Sequence, residues 1–271
     1  MTKILIFEIE GELGLFKKYY TTASLLTFDF PPKTSLIGLI GALLGFERKT
    51  EGLFNLQELK IGIEIINPIR KLHQGVNWLN TKVRGSKAIS SSTKNQLSEI
   101  MQKSSNDAYG FVGDMQYKPT NIQLLIEPKF RVFVEDNNTK YFEGLENALI
   151  NQKYVFSPYL GQSEHLATIK YIDLVDSKTI NNENPSKLEK YECVVPVKYI
   201  LEDNNGNKAI DFESNNKLII ETMPLKYEKE NVSFGRIVYN KERKPILLAS
   251  KIYHKIIIPE IDDEFRNVVL Y

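Results

Sequence analysis

Histidine, tyrosine and lysine together could cleave a phosphodiester without a metal ion, because that reaction needs only a base, an acid and a cation. The tripeptide Tyr253-His254-Lys255 contains all three types, but on a strand His254 would point away from the other two. His73 lies two residues after Lys71, at the start of a basic segment, and makes the better placed pair. For each lone histidine, a structural role is the alternative interpretation.

Other catalytic and metal-binding signatures are missing from the sequence. The histidines at 73, 165 and 254 lack the i, i+4 spacing of a helical metal pair, and the single cysteine, Cys193, excludes a Cys-rich zinc module. The chain also has neither a phosphate loop ending in Gly-Lys-Ser/Thr nor a Gly-x-Ser-x-Gly elbow. We therefore expect no cofactor and no metal.

A polar segment from about residue 74 to 120 could bind nucleic acid through its cations. Between Pro68 and Thr120 the chain has eight lysines and arginines against three acidic residues, and Trp78 lies near the start of the segment. A basic arm with an aromatic side chain suits a finger that lies along a phosphate backbone. A disordered loop is the alternative, and the net charge of +1 argues against a general nucleic-acid coat protein.

The apolar runs predict an α+β fold. Strands are expected over 3–9, 59–68, 122–136 and 167–176, and helices over 35–45 and 140–152. The resulting order, β, α, β, arm, β, α, β, is that of a ferredoxin-like domain, here spanning 1–176. A linker over 177–187 and a small β-rich region over 188–271 would follow. The strand "KFRVFVED" (129 to 136) superficially resembles the aromatic strand on which RNA-recognition domains stack bases.

Composition bounds the compartment and the class of protein. With 42% hydrophobic and 25% charged residues, the 271-residue chain is typical of globular proteins rather than disordered ones. The oily stretch Ser35–Gly45 is shorter than the roughly 20 residues that cross a bilayer, so we interpret it as a core helix wrapped by other elements. The N-terminus is not typical of a signal peptide, and one cysteine fits a reducing compartment. A cytoplasmic location without membrane contact is expected.

Four stretches together resemble a known family. They are "FEIEGELGLFKKYYTTASLLTFDFPPKTSLIGLIGALLG", "NPIRKLHQGVNWLNTK", "IQLLIEPKFRVFV" and "SPYLGQSEHLATI", which cover about 170 residues in order and spacing. They are similar to the Cas-five family of the RAMP superfamily, the subunit that caps the 5′ handle of CRISPR RNA (crRNA) in type I interference complexes. The details look most like type I-B members.

The resemblance implies a ferredoxin-like domain with an inserted β-hairpin thumb, the 74–120 arm, and a small β-rich C-terminal region. It implies a non-catalytic RNA-binding subunit of the Cascade complex in antiviral defence. Its partners would be the crRNA 5′ handle, a backbone subunit, a large subunit and, indirectly, target DNA. One branch of the family, in type I-C systems, cuts precursor RNA itself, so a metal-independent endoribonuclease is the alternative. A structural adaptor that does not contact RNA is a third possibility.

The resemblance also implies which residues face the handle. At the start of the oily helix, free main-chain amides could hold a phosphate. The candidates are Lys17, Lys18, Tyr19, Tyr20, Lys33, Thr34, Arg70, Lys71, Trp78, Lys82, Arg84, Lys87, Gly161, Gln162 and Ser163.

Overall fold

The chain is mostly β with few helices, in the α+β class. The computed structural model describes residues 2–22, 24–47, 50–80, 116–135, 140–211, 217–228 and 231–271. The helices in this part of the chain are α1 (Lys33–Leu43), α2 (Glu51–Asn55) and α3 (Lys140–Ile150), with 3₁₀ turns at Leu56–Glu58 and Val197–Tyr199. The strands are β1 (Thr2–Glu10), β2 (Leu13–Gly14), β3 (Ile61–Ile65), β4 (Lys71–Asn80), β5 (Gln116–Ile126), β6 (Lys129–Glu135), β7 (Thr168–Asn181), β8 (Glu189–Tyr191), β9 (Val195–Pro196), β10 (Leu218–Glu228), β11 (Asn231–Asn240), β12 (Ile246–Leu248), β13 (Ile252–Ile258) and β14 (Asp262–Val268). Within the described ranges, none of the helices has the length and apolar character needed to span a membrane.

A six-stranded antiparallel sheet forms the centre of the molecule, in the order β14-β13-β7-β1-β6-β3. The apolar, β-branched run at the N-terminus makes β1 the central strand, which pairs with β6 on one side and β7 on the other. Helix α1 follows β1 along the chain, and α3 connects β6 to β7. Smaller sheets pair β10-β11-β9, β12-β8 and β2-β5-β4.

Both faces of the central sheet are buried. Because side chains alternate along a strand, Leu5 and Phe7 of β1 join a core cluster with α1 and α3. Ile4 and Ile6 point to the opposite face and join a second cluster formed with β8, β13 and β14. The strands after residue 188 therefore cover the face that an open RNA-binding sheet would expose.

The aromatic residues of β6, whose sequence superficially resembles a base-stacking strand, lie in the core, as ordinary strand alternation predicts. Phe130 and Phe133 are fully buried, one on each face of the sheet. Between them, Arg131 is buried in ion pairs with Glu8, at 2.8 Å, and with Glu64, at 2.6 Å. These side chains lie in the core, where a ligand cannot reach them.

The oily helix is wrapped by other elements, as predicted. Buried residues occur all around α1, and Leu36, Ile37 and Ile40 belong to the main core cluster. At Gly41 a Cβ atom would lie 2.5 Å from Cδ1 of Leu53, so any side chain here would force Leu53 to move. Glycine at this position allows α2 to pack against α1.

The apolar run 122–136 is two strands rather than one. Glu127 has a left-handed backbone, φ +47°, and with Pro128 it separates β5 from β6. Strand β6 belongs to the central sheet, whereas β5 pairs antiparallel with β4, from Lys71 opposite Leu125 to Asn80 opposite Gln116. Residues 177–181 of the expected linker are the end of β7 and pair with β13 or β1. The division into two domains stays a prediction.

Candidate nucleic-acid interface

The segment from Leu15 to Phe28 folds back on itself beside β5. The Phe28 amide donates to the Phe16 carbonyl and the Lys18 amide donates to the Leu26 carbonyl, both at 2.8 Å. The Gln123 amide of β5 donates to the Leu25 carbonyl, also at 2.8 Å. These bonds fix the segment against β5. Residues 17–20 lie where the segment turns back.

An exposed aromatic cluster, Tyr19, Tyr20 and Phe234, lies at this turn. The Tyr19 and Tyr20 side chains are 54% and 57% exposed, and their ring centroids lie 5.1 Å apart. The ring of Phe234, on β11, is 4.6 Å from that of Tyr19 and is 44% exposed. The sequence predicted the two tyrosines as site residues but missed Phe234, because no local pattern shows that β11 returns to residue 19.

Two of the predicted lysines are paired with carboxylates beneath this turn. Lys18 pairs with Glu221 of β10, and Lys71 pairs with Asp29. Burial lowers the pKa of Lys18, but the bond to Glu221 outweighs it and raises that pKa above its usual value. By contrast, Lys17 is exposed and makes no ion pair within the described ranges. Of these three lysines, only Lys17 can bind a ligand without first breaking an ion pair to a carboxylate.

A buried hydroxyl joins the two ion pairs. The Tyr239 hydroxyl donates to Oδ2 of Asp29 at 2.9 Å and lies 3.2 Å from Oε2 of Glu221. Burial and the two carboxylates raise the pKa of Tyr239, so the hydroxyl keeps its proton. The N-terminal segment is thereby fixed to β10 and β11.

The predicted turn at residues 161–163 packs against the same segment. Gly161 has φ +88°, and a Cβ atom there would lie 1.9 Å from the carbonyl oxygen of Leu15, so only glycine fits. The Leu15 amide in turn donates to the Leu160 carbonyl at 2.9 Å. Gln162 is half-buried and Ser163 is exposed. The structure thus brings this turn to within two residues of Lys17.

The two residues predicted at the start of α1, Lys33 and Thr34, are both buried, and the phosphate site on the main-chain amides there stays a prediction. Lys33 is 8% exposed, and its ammonium donates to the main-chain oxygen of Tyr271 at 2.6 Å. Burial lowers the pKa of Lys33 to about 8. Thr34 is also buried, so neither side chain is accessible to a phosphate in this structure.

The remaining predicted residues lie on or beyond the β4–β5 pair. Arg70 precedes β4 and pairs with Glu127, with both side chains exposed. Trp78 lies on β4. Lys82, Arg84 and Lys87 lie outside the described residues.

The three histidines lie in separate places. His73 is exposed, and its Nε2 atom is 3.1 Å from the Gln123 side-chain amide. His254 is buried near Ser177, and His165 is half-buried. In the part of the chain that the structure describes, no cluster of three or more His, Cys, Asp or Glu side chains could hold a metal ion.

A cavity of about 640 Å³ lies beside the Gly161 turn and is acidic. Its lining includes Glu10, Glu12, Glu127 and Glu164. Carboxylates repel phosphate, so this cavity borders the candidate interface without forming part of it.

Comparison with known proteins identifies the family. A sequence model of the family described as CRISPR-associated protein (Cas_Cas5) matches residues 4–239. None of the curated proteins compared with the chain shows significant similarity to it. One similar solved structure is described as a CRISPR RNA-guided surveillance complex, with 13% identity, 90% of each chain covered and a TM-score of 0.50. Another, a CRISPR protein from Archaeoglobus fulgidus, has 13% identity and a TM-score of 0.50, covering 99% of this chain and 98% of the other. At this identity, the two structures show a shared fold.

Proposed function

The chain belongs to the CRISPR-associated Cas5 family, and we propose that it is a non-catalytic RNA-binding subunit of a CRISPR interference complex. In that complex it would bind and cap the 5′ handle of crRNA. The match to the family over residues 4–239 is the observation that carries the proposal. The description of one structural neighbour as a surveillance complex supports membership of such an assembly.

The topology supports the finer parts of the proposal. In the central sheet β7-β1-β6-β3 is the strand order of a ferredoxin-like domain, with helices after β1 and β6. The antiparallel pair β4–β5 supports a hairpin thumb at the predicted arm. We propose a type I Cascade, of subtype I-B, with a backbone subunit and a large subunit as neighbours and target DNA as an indirect partner.

The RNA would lie across the turn at residues 17–20. Exposed aromatic rings can stack bases and an unpaired lysine can meet a phosphate, and this turn supplies both in Tyr19, Tyr20 and Lys17. The 161–163 turn packs against Leu15 of the same segment. His73 of β4 is exposed, and Gln123, which it contacts, donates its main-chain amide to Leu25 of that segment.

A metal-independent endoribonuclease is the alternative. Such an enzyme needs its base, acid and cation within hydrogen-bond reach of one phosphate. The side chain that contacts exposed His73 is the amide of Gln123, and Lys71 is engaged by Asp29. This arrangement favours binding over cleavage.

The experiment mixes the full chain with labelled repeat-spacer-repeat RNA in EDTA and follows binding and cleavage side by side. Binding without cleavage would support the capping subunit. Cleavage within the repeat that His73→Ala or Tyr20→Ala abolishes would establish the endoribonuclease instead. Absence of binding would refute both and leave a structural adaptor. Neutralising Lys82, Arg84 and Lys87 together should weaken binding and flatten its salt dependence, because each lost phosphate contact lowers the slope by about one.

A further inference from the structure

The exposed aromatic cluster is unusual because its rings touch one another instead of filling the core. Tyr19 contacts both Tyr20 and Phe234, and each of the three side chains remains about half exposed. Water contact with so much aromatic surface is unfavourable, and a contiguous exposed apolar patch often marks a binding site. Phe234 comes from β11, more than 200 residues away along the chain.

An unpaired cation shares the face of β11 that carries Phe234. Arg236 follows Phe234 by two residues, so their side chains point to the same side of the strand. Arg236 is exposed and makes no ion pair with any residue that the structure describes. Lys17, two residues before Tyr19, is also exposed, so exposed cations flank the cluster along both segments of the chain.

The size of the cluster suits a nucleotide better than a protein partner. Half of the surface of three aromatic side chains is roughly 300 Å². A stable protein interface needs about 800 Å² from each partner. One or two stacked bases need far less, and the flanking cations match the charge of a phosphate backbone.

We propose that the exposed aromatic cluster binds one unstacked base of single-stranded RNA, with Phe234 as a stacking ring and Arg236 on the adjoining phosphate. The proposal rests on the proposed RNA-binding function and extends the site onto the C-terminal strands. Stacking requires a free base face, so a base inside a duplex is excluded from the cluster.

Buried contacts next to the cluster preorganise its rings for ligand binding. Lys18, which precedes Tyr19, is bound to Glu221 of β10, and the Tyr239 hydroxyl links Glu221 to Asp29. Tyr239 lies on β11, five residues after Phe234. Because these contacts fix both the turn that carries Tyr19 and Tyr20 and the strand that carries Phe234, little ordering is left to oppose binding.

The test measures the affinity of the full chain for single-stranded RNA of about 12 nucleotides, in versions with one abasic nucleotide at each position in turn. For intact RNA, Phe234→Ala should weaken binding about tenfold, and Phe234→Trp should restore it. At one position, the abasic RNA should bind wild type and Phe234→Ala equally, because the ring has no base to contact. Arg236→Gln should lower the salt slope. Phe265→Ala, which removes an exposed phenylalanine on β14, is the matched control and should change nothing.

The outcomes separate this inference from the proposed function. If wild type binds none of the RNAs, the proposed function fails and this inference fails with it. If wild type binds but Phe234→Ala binds equally well, only the base-stacking role is overturned, and the rings belong to a protein partner. A tenfold loss that persists for every abasic RNA would also overturn it, because it would report a general disturbance of the surface.

Discussion

The Tyr239 hydroxyl donates to the Asp29 carboxylate at 2.9 Å, between residues 210 positions apart. Tyr239→Phe removes this buried bond and should lower the free energy of unfolding by about 1–3 kcal/mol, because it leaves two carboxylates with one partner fewer. Urea denaturation measures the change. Tyr227→Phe, at an exposed tyrosine on β10, is the control and should stay within about 0.5 kcal/mol of wild type. Equal stability of the two variants would contradict the prediction.

Gly161→Ala should destabilise the chain more than Gly206→Ala does. Both glycines have positive φ, +88° and +78°, so both substitutions carry the left-handed cost of about 1–2 kcal/mol. A Cβ atom at 206 meets nothing within 4 Å, whereas at 161 it meets the Leu15 carbonyl. The difference between the two unfolding free energies isolates the collision, which we expect to add at least about 1 kcal/mol. A difference of zero would show that the turn can move away from Leu15.

Lys17→Gln should change RNA binding, whereas Lys18→Gln should change stability. Lys17 is exposed and unpaired within the described ranges, so its loss should reduce the salt dependence of RNA binding by about one charge and leave stability unchanged. Lys18 is bound to Glu221, so its loss should lower the free energy of unfolding by about 1–3 kcal/mol. Affinity for single-stranded RNA across a potassium chloride series, together with urea denaturation, gives both quantities. The same salt slope for Lys17→Gln as for wild type would remove Lys17 from the proposed site.

His254 should make stability depend on pH. Burial lowers its pKa below the usual 6.5, in spite of Glu135 3.8 Å away. As pH falls below about 6.5, the unfolded chain therefore takes up a proton that the folded chain resists, and the free energy of unfolding decreases until the pH passes the lowered pKa. His254→Gln should flatten this dependence in urea midpoints measured from about pH 7.5 to about 5.

His73→Gln is the matched control for this pH series. It removes an exposed histidine and should keep the pH dependence of wild type. If His254→Gln and wild type lose stability in parallel as pH falls, other groups cause the dependence.

The sequence predicts the individual elements better than their neighbours in space. Strong apolar runs identify β1, α1, α3 and β7, because a buried strand or helix leaves a periodic pattern in its own residues. Pro128 predicts an interruption of the run 122–136, but nothing in this run shows that β5 and β6 belong to two different sheets. The burial of Lys33 depends on Tyr271, and the exposed pairing of Tyr19 with Phe234 depends on β11. No local sequence pattern around Lys33 or Tyr19 indicates these partners.

The contact between Tyr19 and Phe234 also determines when the surface can form. Lys18 finds Glu221 only after 203 further residues have been made, and contacts of such long sequence separation form slowly. On a ribosome, the aromatic cluster is therefore completed among the last features of the chain. A nascent chain that ends before β10 lacks both Glu221, the partner of Lys18, and Phe234, the partner of Tyr19, so neither contact can form until the C-terminal strands have been made.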